Sequence, residues 1–254
     1  MARKEKKSGG VRWRLWLGLA VVAGLCVSTG MAALRVRQYA LTSPQFTLLA
    51  SRKDALDIRG MANGSSAKVR RVFAADSGRS VFAVPLAERR RRLLAIDWVE
   101  DASVERIWPD RLLVRIRERQ PVAFVLLRSG PVLIDASGVL LEPPPLARYA
   151  FPVLRGVPED EPEATRGERV AAFRRFLTDM GDLAKDVSEV NVADPGDLSV
   201  WARVDGRVLE LLMGGGDFAR RYRSFSTHYA EIRKSSPDVG TFDLRWDGHI
   251  LAKK

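Results

Sequence analysis

Between Leu15 and Leu34 the sequence LWLGLAVVAGLCVSTGMAAL runs for twenty residues without a charged side chain. As an α-helix rising ~1.5 Å per residue, such a run matches the ~30 Å hydrocarbon core of a bilayer, where every backbone polar group must find its partner within the segment. The run divides the chain into two sides. Arg3, Lys4, Lys6, Lys7, Arg12 and Arg14 precede it against a single Glu5, and only four basic residues occur in the twenty that follow. The side richer in Lys and Arg stays cytoplasmic, so residues 35 onward are expected outside. Trp13, Trp16 and Tyr39 stand where interfacial aromatics belong. Ser28 and Gly30 give a signal-peptidase-like spacing, but a cleaved signal has an apolar core of only ~7–15 residues. Lipid attachment at Cys26 requires a small residue where Leu25 stands, so the expectation is an uncleaved helix. Cys26 is the sole cysteine and lies in the run, so the exported part must be held by its apolar cores, without a disulfide.

The net charge of +11 is unevenly placed. The first fourteen residues carry +5 and residues 45–119 carry +6, whereas residues 120–254 carry −2. This distribution argues against a nucleic-acid interface spread over the chain, and 254 residues suffice for two small cores behind the helix.

Along the exported part, Phe46 to Arg59 reads as a strand ending at Gly60, Ser65 caps a short helix through Phe73, and Pro85 starts another through Leu86, Leu93, Leu94 and Ile96. WVEDASVERIWPDRLLVRIRERQPVAF then predicts a hairpin. Ala102 and Val104 share a face of its first strand and Leu112, Val114 and Ile116 a face of its second, with Arg111, Arg115, Arg117 and Arg119 outward. Past Pro121 the texture becomes rich in proline. VLIDASGVLLE predicts a hairpin at Ser137-Gly138, and Glu168 to Leu183 a helix burying Val170, Phe173, Phe176, Leu177 and Met180. Strands are expected at Val187–Val192, Leu198–Val204 and Arg207–Leu212, the last two joined by Asp205-Gly206. Gly214-Gly215-Gly216 opens onto a helix over Asp217 to Arg233, and a last strand is expected from Thr241 to Ala252. As that strand has no later one to cover it, its outer edge is expected to invite a partner.

Catalytic chemistry is not indicated. His228 and His249 lack neighbours at metal-ligand spacing, and the triglycine lacks the Lys-Ser/Thr of a phosphate loop. Asp243 and Asp247 form a carboxylate pair only on paper, with no cleft in view, so no cofactor, metal or small-molecule substrate is expected. Arg89 to Arg92 is the sharpest basic feature. Four consecutive helical positions point around most of a helix, and no stacking aromatics are interleaved, so the expectation is a solvated face, with anionic headgroups or an acidic partner segment as the binding alternative.

These segments resemble, in order and spacing, the bacterial cell-division family FtsQ, called DivIB in other bacteria. The resemblance rests on the basic tail and single helix, DIRGMANGSSAKVRRVF, GRSVFAVPL, the hairpin above, LIDASGVLLE and the terminal DLRWDGHILAKK. It implies an α+β fold: a cytoplasmic tail at 1–14, the transmembrane helix at 15–34, a linker at 35–44, a POTRA domain (β-α-α-β-β) at 45–119 and a β-rich FtsQ/DivIB-type domain at 120–254. Glu118-Arg119-Gln120-Pro121-Val122 matches the junction between the two domains. The resemblance further implies a non-enzymatic scaffold of the divisome in the bacterial inner membrane, at the septum. Such a scaffold recruits the bitopic proteins FtsB and FtsL and helps control septal peptidoglycan synthesis. A strand of FtsB added by β-augmentation would then meet Thr241, Asp243, Leu244, Arg245, Trp246, Asp247, Gly248 and Ile250. Trp246, at the aromatic position of the family's DLR-aromatic motif, is the expected hot spot, with Arg245 set for an acidic partner residue. The sequence stops at Lys254 without the longer tail of some members, so no contact of such a tail is expected. The alternative is a POTRA-bearing component of protein export or transport that docks peptides; its outer-membrane examples continue into a β-barrel, for which the residues after Pro121 show no strand array.

Overall fold

The computed structural model describes residues 10–49, 52, 54–145 and 148–253. The basic residues Arg3, Lys4, Lys6 and Lys7 of the expected tail lie outside them. Helix α1 (Gly10–Thr42) carries the apolar run, and within it Trp16–Thr42 is long and apolar enough to cross a membrane. The helix thus continues through most of the expected linker at 35–44, and its large apolar side chains from Trp16 to Leu41 are exposed.

The chain forms two compact units, the helix falling in the first. One comprises Met1–Gly60, Ser65–Leu93 and Ala102–Ile116, the other Met61–Gly64, Leu94–Asp101 and Arg117–Lys254. The first holds a small sheet with β1 (Leu56–Arg59) parallel to β3 (Arg111–Glu118), and β2 (Val99–Ile107) on the far side of β3. Helices α2 (Ser66–Val72) and α3 (Leu86–Leu94) fall between β1 and β2 in sequence, so the β-α-α-β-β order holds. Ser65 caps α2 by accepting a hydrogen bond from the Lys68 N–H, which satisfies one of the donors a helix start leaves orphaned. Leu112, Val114 and Ile116 are buried as their parity requires, while Arg115 and Arg117 face solvent. The first strand is shorter than expected. Phe46 belongs to a 3-10 turn, Thr47 makes only an isolated bridge to Ser80, and regular pairing starts at Leu56. Gly60 ends β1 at φ +82°, and a Cβ there would lie 2.0 Å from the Ile116 carbonyl oxygen.

The second unit is built on nine strands: β4 (Pro121–Leu127), β5 (Gly130–Asp135), β6 (Leu140–Leu141), β7 (Val153–Arg155), β8 (Val187–Asn191), β9 (Leu198–Val204), β10 (Arg207–Gly214), β11 (Thr241–Asp243) and β12 (Leu251–Lys253). Their spatial order is β12-β11-β10-β9-β8-β7-β4-β5-β6. Parallel neighbours need a crossover, which α4 (Glu163–Met180) supplies between β7 and β8 and α5 (Phe218–Ser235) between β10 and β11, while β5 and β6 intervene between β4 and β7. Val170, Phe173, Phe176 and Met180 of α4 and Phe225 and Tyr229 of α5 are buried in the same core as Val190, Val200, Leu211 and Phe242 of the sheet. Helix α4 begins at Glu163, before the expected Glu168, and ends at Met180, where Gly181 opens a 3-10 turn.

The expected single strand from Thr241 to Ala252 is instead a hairpin. The chain leaves β11 after Asp243, turns, and returns as β12, which pairs antiparallel through Thr241↔Lys253, Phe242↔Ala252 and Asp243↔Leu251. Thr241–Asp243 is therefore paired on both sides, and among the described residues β12 is the terminal strand at this end of the order, as β6 is at the other.

Candidate partner-binding site

Strand β11 is fixed first by its backbone and then by its side chains. It lies parallel to β10, with Leu211↔Phe242 at its centre, and the ladder is extended by hydrogen bonds from the Glu210 N–H to the Gly240 carbonyl and from the Leu244 N–H to the Leu212 carbonyl. Phe242 is fully buried against the rings of Phe225 (5.0 Å) and Tyr229 (6.0 Å). Alternation would send Asp243 the other way, yet it too is buried. Arg245 accounts for this, donating through Nε to Oδ1 at 2.9 Å and through Nη2 to Oδ2 at 2.7 Å. The Arg245 N–H adds a third bond to Oδ1, and Lys253 Nζ lies 3.5 Å from Oδ2. The Arg245 hydrogen bonds, first among these causes, hold the Asp243 carboxyl down at about 2 despite its burial, and the same pairing raises the guanidinium further above its ordinary value. Arg245 Nη1 also reaches Asp197 at 2.7 Å. The residue expected to meet an acidic partner is thus already engaged within the chain.

The turn follows at Trp246-Asp247-Gly248-His249. The His249 N–H donates to the Trp246 carbonyl at 3.1 Å, and Gly248 takes φ +73°, a value that L side chains disfavour and that the third position of a type II turn requires. Asp247 accepts from Arg220 Nη2 at 3.0 Å, tying the turn to the start of α5. Between the turn and α5 lies a groove of about 330 Å³ lined by Arg220, Arg221, Ser224, His228, Glu231, Ile232, Leu244 and Trp246 to Ile250. Trp246 is 60% exposed at its margin. The eight expected residues therefore separate into two groups. Thr241, Asp243 and Arg245 hold the strand, whereas Leu244, Trp246, Asp247, Gly248 and Ile250 line the groove. The eight expected residues include neither the α5 side of the groove nor Leu251–Lys253, although the expected last strand reaches Ala252. The spacing of Arg221, Ser224, His228 and Glu231 at intervals of three and four is the signal that places them on one helical face.

Two other charged features are internal. Arg89 is buried, its Nε 2.6 Å from Asp76 Oδ2 and its Nη2 2.8 Å from Oδ1, so the basic run is not a wholly solvated face; Arg90 donates to the Ala102 carbonyl and Arg92 pairs with Glu88. Glu118 continues the buried parity of Leu112, Val114 and Ile116, and its carboxylate accepts from the backbone N–H groups of Ala62, Asn63 and Gly64 and from Asn63 Nδ2. Among the described residues no group of three or more His, Cys, Asp and Glu is placed to hold a metal ion.

Among the described residues a single long apolar helix, a β-α-α-β-β unit and a mixed nine-stranded unit define the class: an α+β protein with a POTRA unit followed by a β-rich unit. Residues 52–119 match the family described as POTRA domain, FtsQ-type, and residues 123–245 match Cell division protein FtsQ/DivIB, C-terminal. The chain is 37% identical over 238 residues to the cell division protein FtsQ of Koribacter versatilis, covering 91% of this chain and 68% of that one. It is 30% identical over 240 residues to that of Novosphingobium aromaticivorans, covering 92% and 72%. The major extracytoplasmic domain of DivIB from Geobacillus stearothermophilus matches 47% of this chain and 95% of that one at 17% identity and a TM-score of 0.25, too slight a likeness to argue from. The chain belongs to the FtsQ/DivIB family of cell division proteins. The match to the family's C-terminal region ends at Arg245, so Trp246 and the turn lie just beyond it.

Proposed function

We propose that this chain is a bitopic, non-enzymatic scaffold of the divisome. Helix α1 crosses the inner membrane with the N-terminus in the cytoplasm, and the two units stand outside at the septum. Its β12 edge and the adjoining groove receive a segment of an FtsB-type protein, with an FtsL-type protein in the same complex, and through that assembly the chain helps control septal peptidoglycan synthesis. The observation that supports this reading is the edge itself: among the described residues β12 ends the nine-stranded order, and Leu251, Ala252 and Lys253 are all exposed, as is Trp246. Such an edge carries unpaired backbone groups that one added strand satisfies, with side-chain specificity supplied next door by the groove. Relative to the sequence expectation the docking strand moves from Thr241–Ile250 to Leu251–Lys253, while Trp246 keeps its role. Purifying the chain from its native membrane and identifying what accompanies it tests the reading. Small bitopic division proteins support it, and a pool of exported substrates in their place refutes it in favour of a peptide-docking role.

A further inference from the structure

The first unit carries an aromatic cluster where α1 ends. Tyr39 meets Phe46 edge-on at 6.0 Å, Phe46 meets Phe82 at 5.2 Å and Trp108 at 5.4 Å, and Phe82 meets Trp108 at 5.5 Å. Phe46 is buried at the centre, yet Trp108 is 67% exposed and Tyr39 59%. The helix end and the folded unit are also joined by hydrogen bonds. Ser80 Oγ donates to the Ala40 carbonyl at 2.7 Å and Gln45 Nε2 to the Tyr39 hydroxyl at 2.8 Å. Trp108 is therefore packed, through Phe46, onto the same body as the last turns of α1.

The apolar run fixes where that body lies relative to lipid. With Leu15–Leu34 filling the ~30 Å hydrocarbon core, Tyr39 comes five residues, or about 7.5 Å, beyond it, at the level of the headgroups. Trp108 is two ring contacts away. A tryptophan left largely in water exposes a large apolar area, whereas at the headgroup level its ring faces the acyl boundary and its N–H the wet side. Arg35 and Arg37 are exposed on the helix just before Tyr39, a placement that suits anionic headgroups.

We propose that Trp108, with Tyr39 and the exposed Leu41, forms a second membrane contact that seats the first unit on the outer surface of the bilayer at the exit of α1. A helix alone leaves the exported body free to tilt about its exit point. A headgroup-level tryptophan on a different segment of the chain, packed to the helix end, restricts that tilt and sets the height of the first unit. This inference rests on the membrane-spanning reading of α1.

The test is tryptophan fluorescence of the full chain reconstituted in phosphatidylcholine–phosphatidylglycerol vesicles, with and without lipid brominated high on the acyl chain. The emission belonging to one residue is the part lost in Trp108→Phe or in Trp16→Phe. The expected result is that the Trp108 component is mostly quenched by the brominated lipid, as is the Trp16 component. Quenching of the Trp16 component alone overturns the contact while leaving the spanning helix intact, and points to a protein partner or solvent at Trp108. Quenching of neither brings down the spanning reading and this contact with it.

Discussion

The carboxylate of Asp243 and the guanidinium of Arg245 close on each other across one intervening residue, with two parallel bonds of 2.9 and 2.7 Å at a nearly inaccessible carboxylate. The pair ends β11 and marks where the turn toward Trp246 begins. Because the folded pKa of Asp243, about 2, lies below its ordinary value of 3.8, the ionised form favours folding. That contribution is complete above the ordinary value and is lost as pH falls toward about 2. A shift of this size corresponds to roughly 2 kcal/mol. Chemical denaturation of the chain and of Asp243→Asn should show a gap of that order at pH 7 that narrows progressively between about pH 4 and pH 2. A gap independent of pH would mean that the carboxylate's charge does not support the strand.

Glu118 offers a second handle. Three backbone N–H groups converge on one carboxylate, with Gly64 N at 2.7 Å. Truncation in Glu118→Ala leaves those donors without their acceptor, at a cost of roughly 2 to 5 kcal/mol, whereas Glu118→Gln keeps one accepting oxygen and should lose less. Hydrogen exchange at Ala62, Asn63 and Gly64 reads this directly: exchange should accelerate strongly in the alanine variant. Unchanged protection there would show that the turn is held by something else.

The two hairpins of the second unit show why part of this fold was legible and part was not. Asp205-Gly206 between two clear alternating runs gives the β9–β10 hairpin with the expected start, because its signal is local. Asp247-Gly248 carries the same dipeptide, but the apolar spacing of Phe242, Leu244, Trp246 and Ile250 continues through it, so pattern alone reads one long strand where the chain turns. Parity likewise puts Leu112, Val114 and Ile116 in the core, and Glu118 shares it because its carboxylate receives backbone donors, which its charge alone does not announce. The parallel neighbours β4, β7 and β8 are a different matter. Phe124, Val153 and Glu189 come side by side from distant parts of the chain, and nothing local announces it. The groove suffers the same limit, since half of its wall comes from α5.

The register of β3 makes a direct contrast. Ile116 is buried and Arg117 faces solvent, in an exposed pair with Glu100 at 3.3 Å. Ile116→Ala is expected to cost ~2 to 5 kcal/mol, and Arg117→Ala no more than ~0.5 kcal/mol. Denaturant midpoints of the two variants decide it; equal losses would require the strand to be shifted by one residue, which exchanges its faces.

Topology is tested by placing a cysteine at Ser8 or at Ser43 in a Cys26→Ala background and treating intact cells with an impermeant thiol reagent. Ser43 immediately follows α1 on the expected outer side, so it should be labelled and Ser8 protected. Labelling at Ser8 with protection at Ser43 would invert the orientation and, with it, the compartment in which the β12 edge is offered.

Trp246 carries the most specific functional forecast. It is 60% exposed at the margin of the groove and adjoins the turn that leads into the open edge of β12, while Phe242 and Leu244 supply the internal packing of the same segment. An exposed aromatic with little to do for its own unit should leave stability nearly unchanged when removed, within ~0.5 kcal/mol. As the central contact for an added strand it should cost at least ~2 kcal/mol of binding, about a thirtyfold weaker Kd. The measurement pairs the melting temperature of Trp246→Ala with its affinity for the extracytoplasmic segment of an FtsB-type partner, and uses Val208→Ala, exposed on β10, as the reference. Loss of affinity at an unchanged melting temperature assigns Trp246 to the partner. A lowered melting temperature with binding retained by the folded fraction assigns it to its own unit, and the contact for the added strand must then be sought on α5, where Arg221, His228 and Glu231 form the opposite wall of the groove.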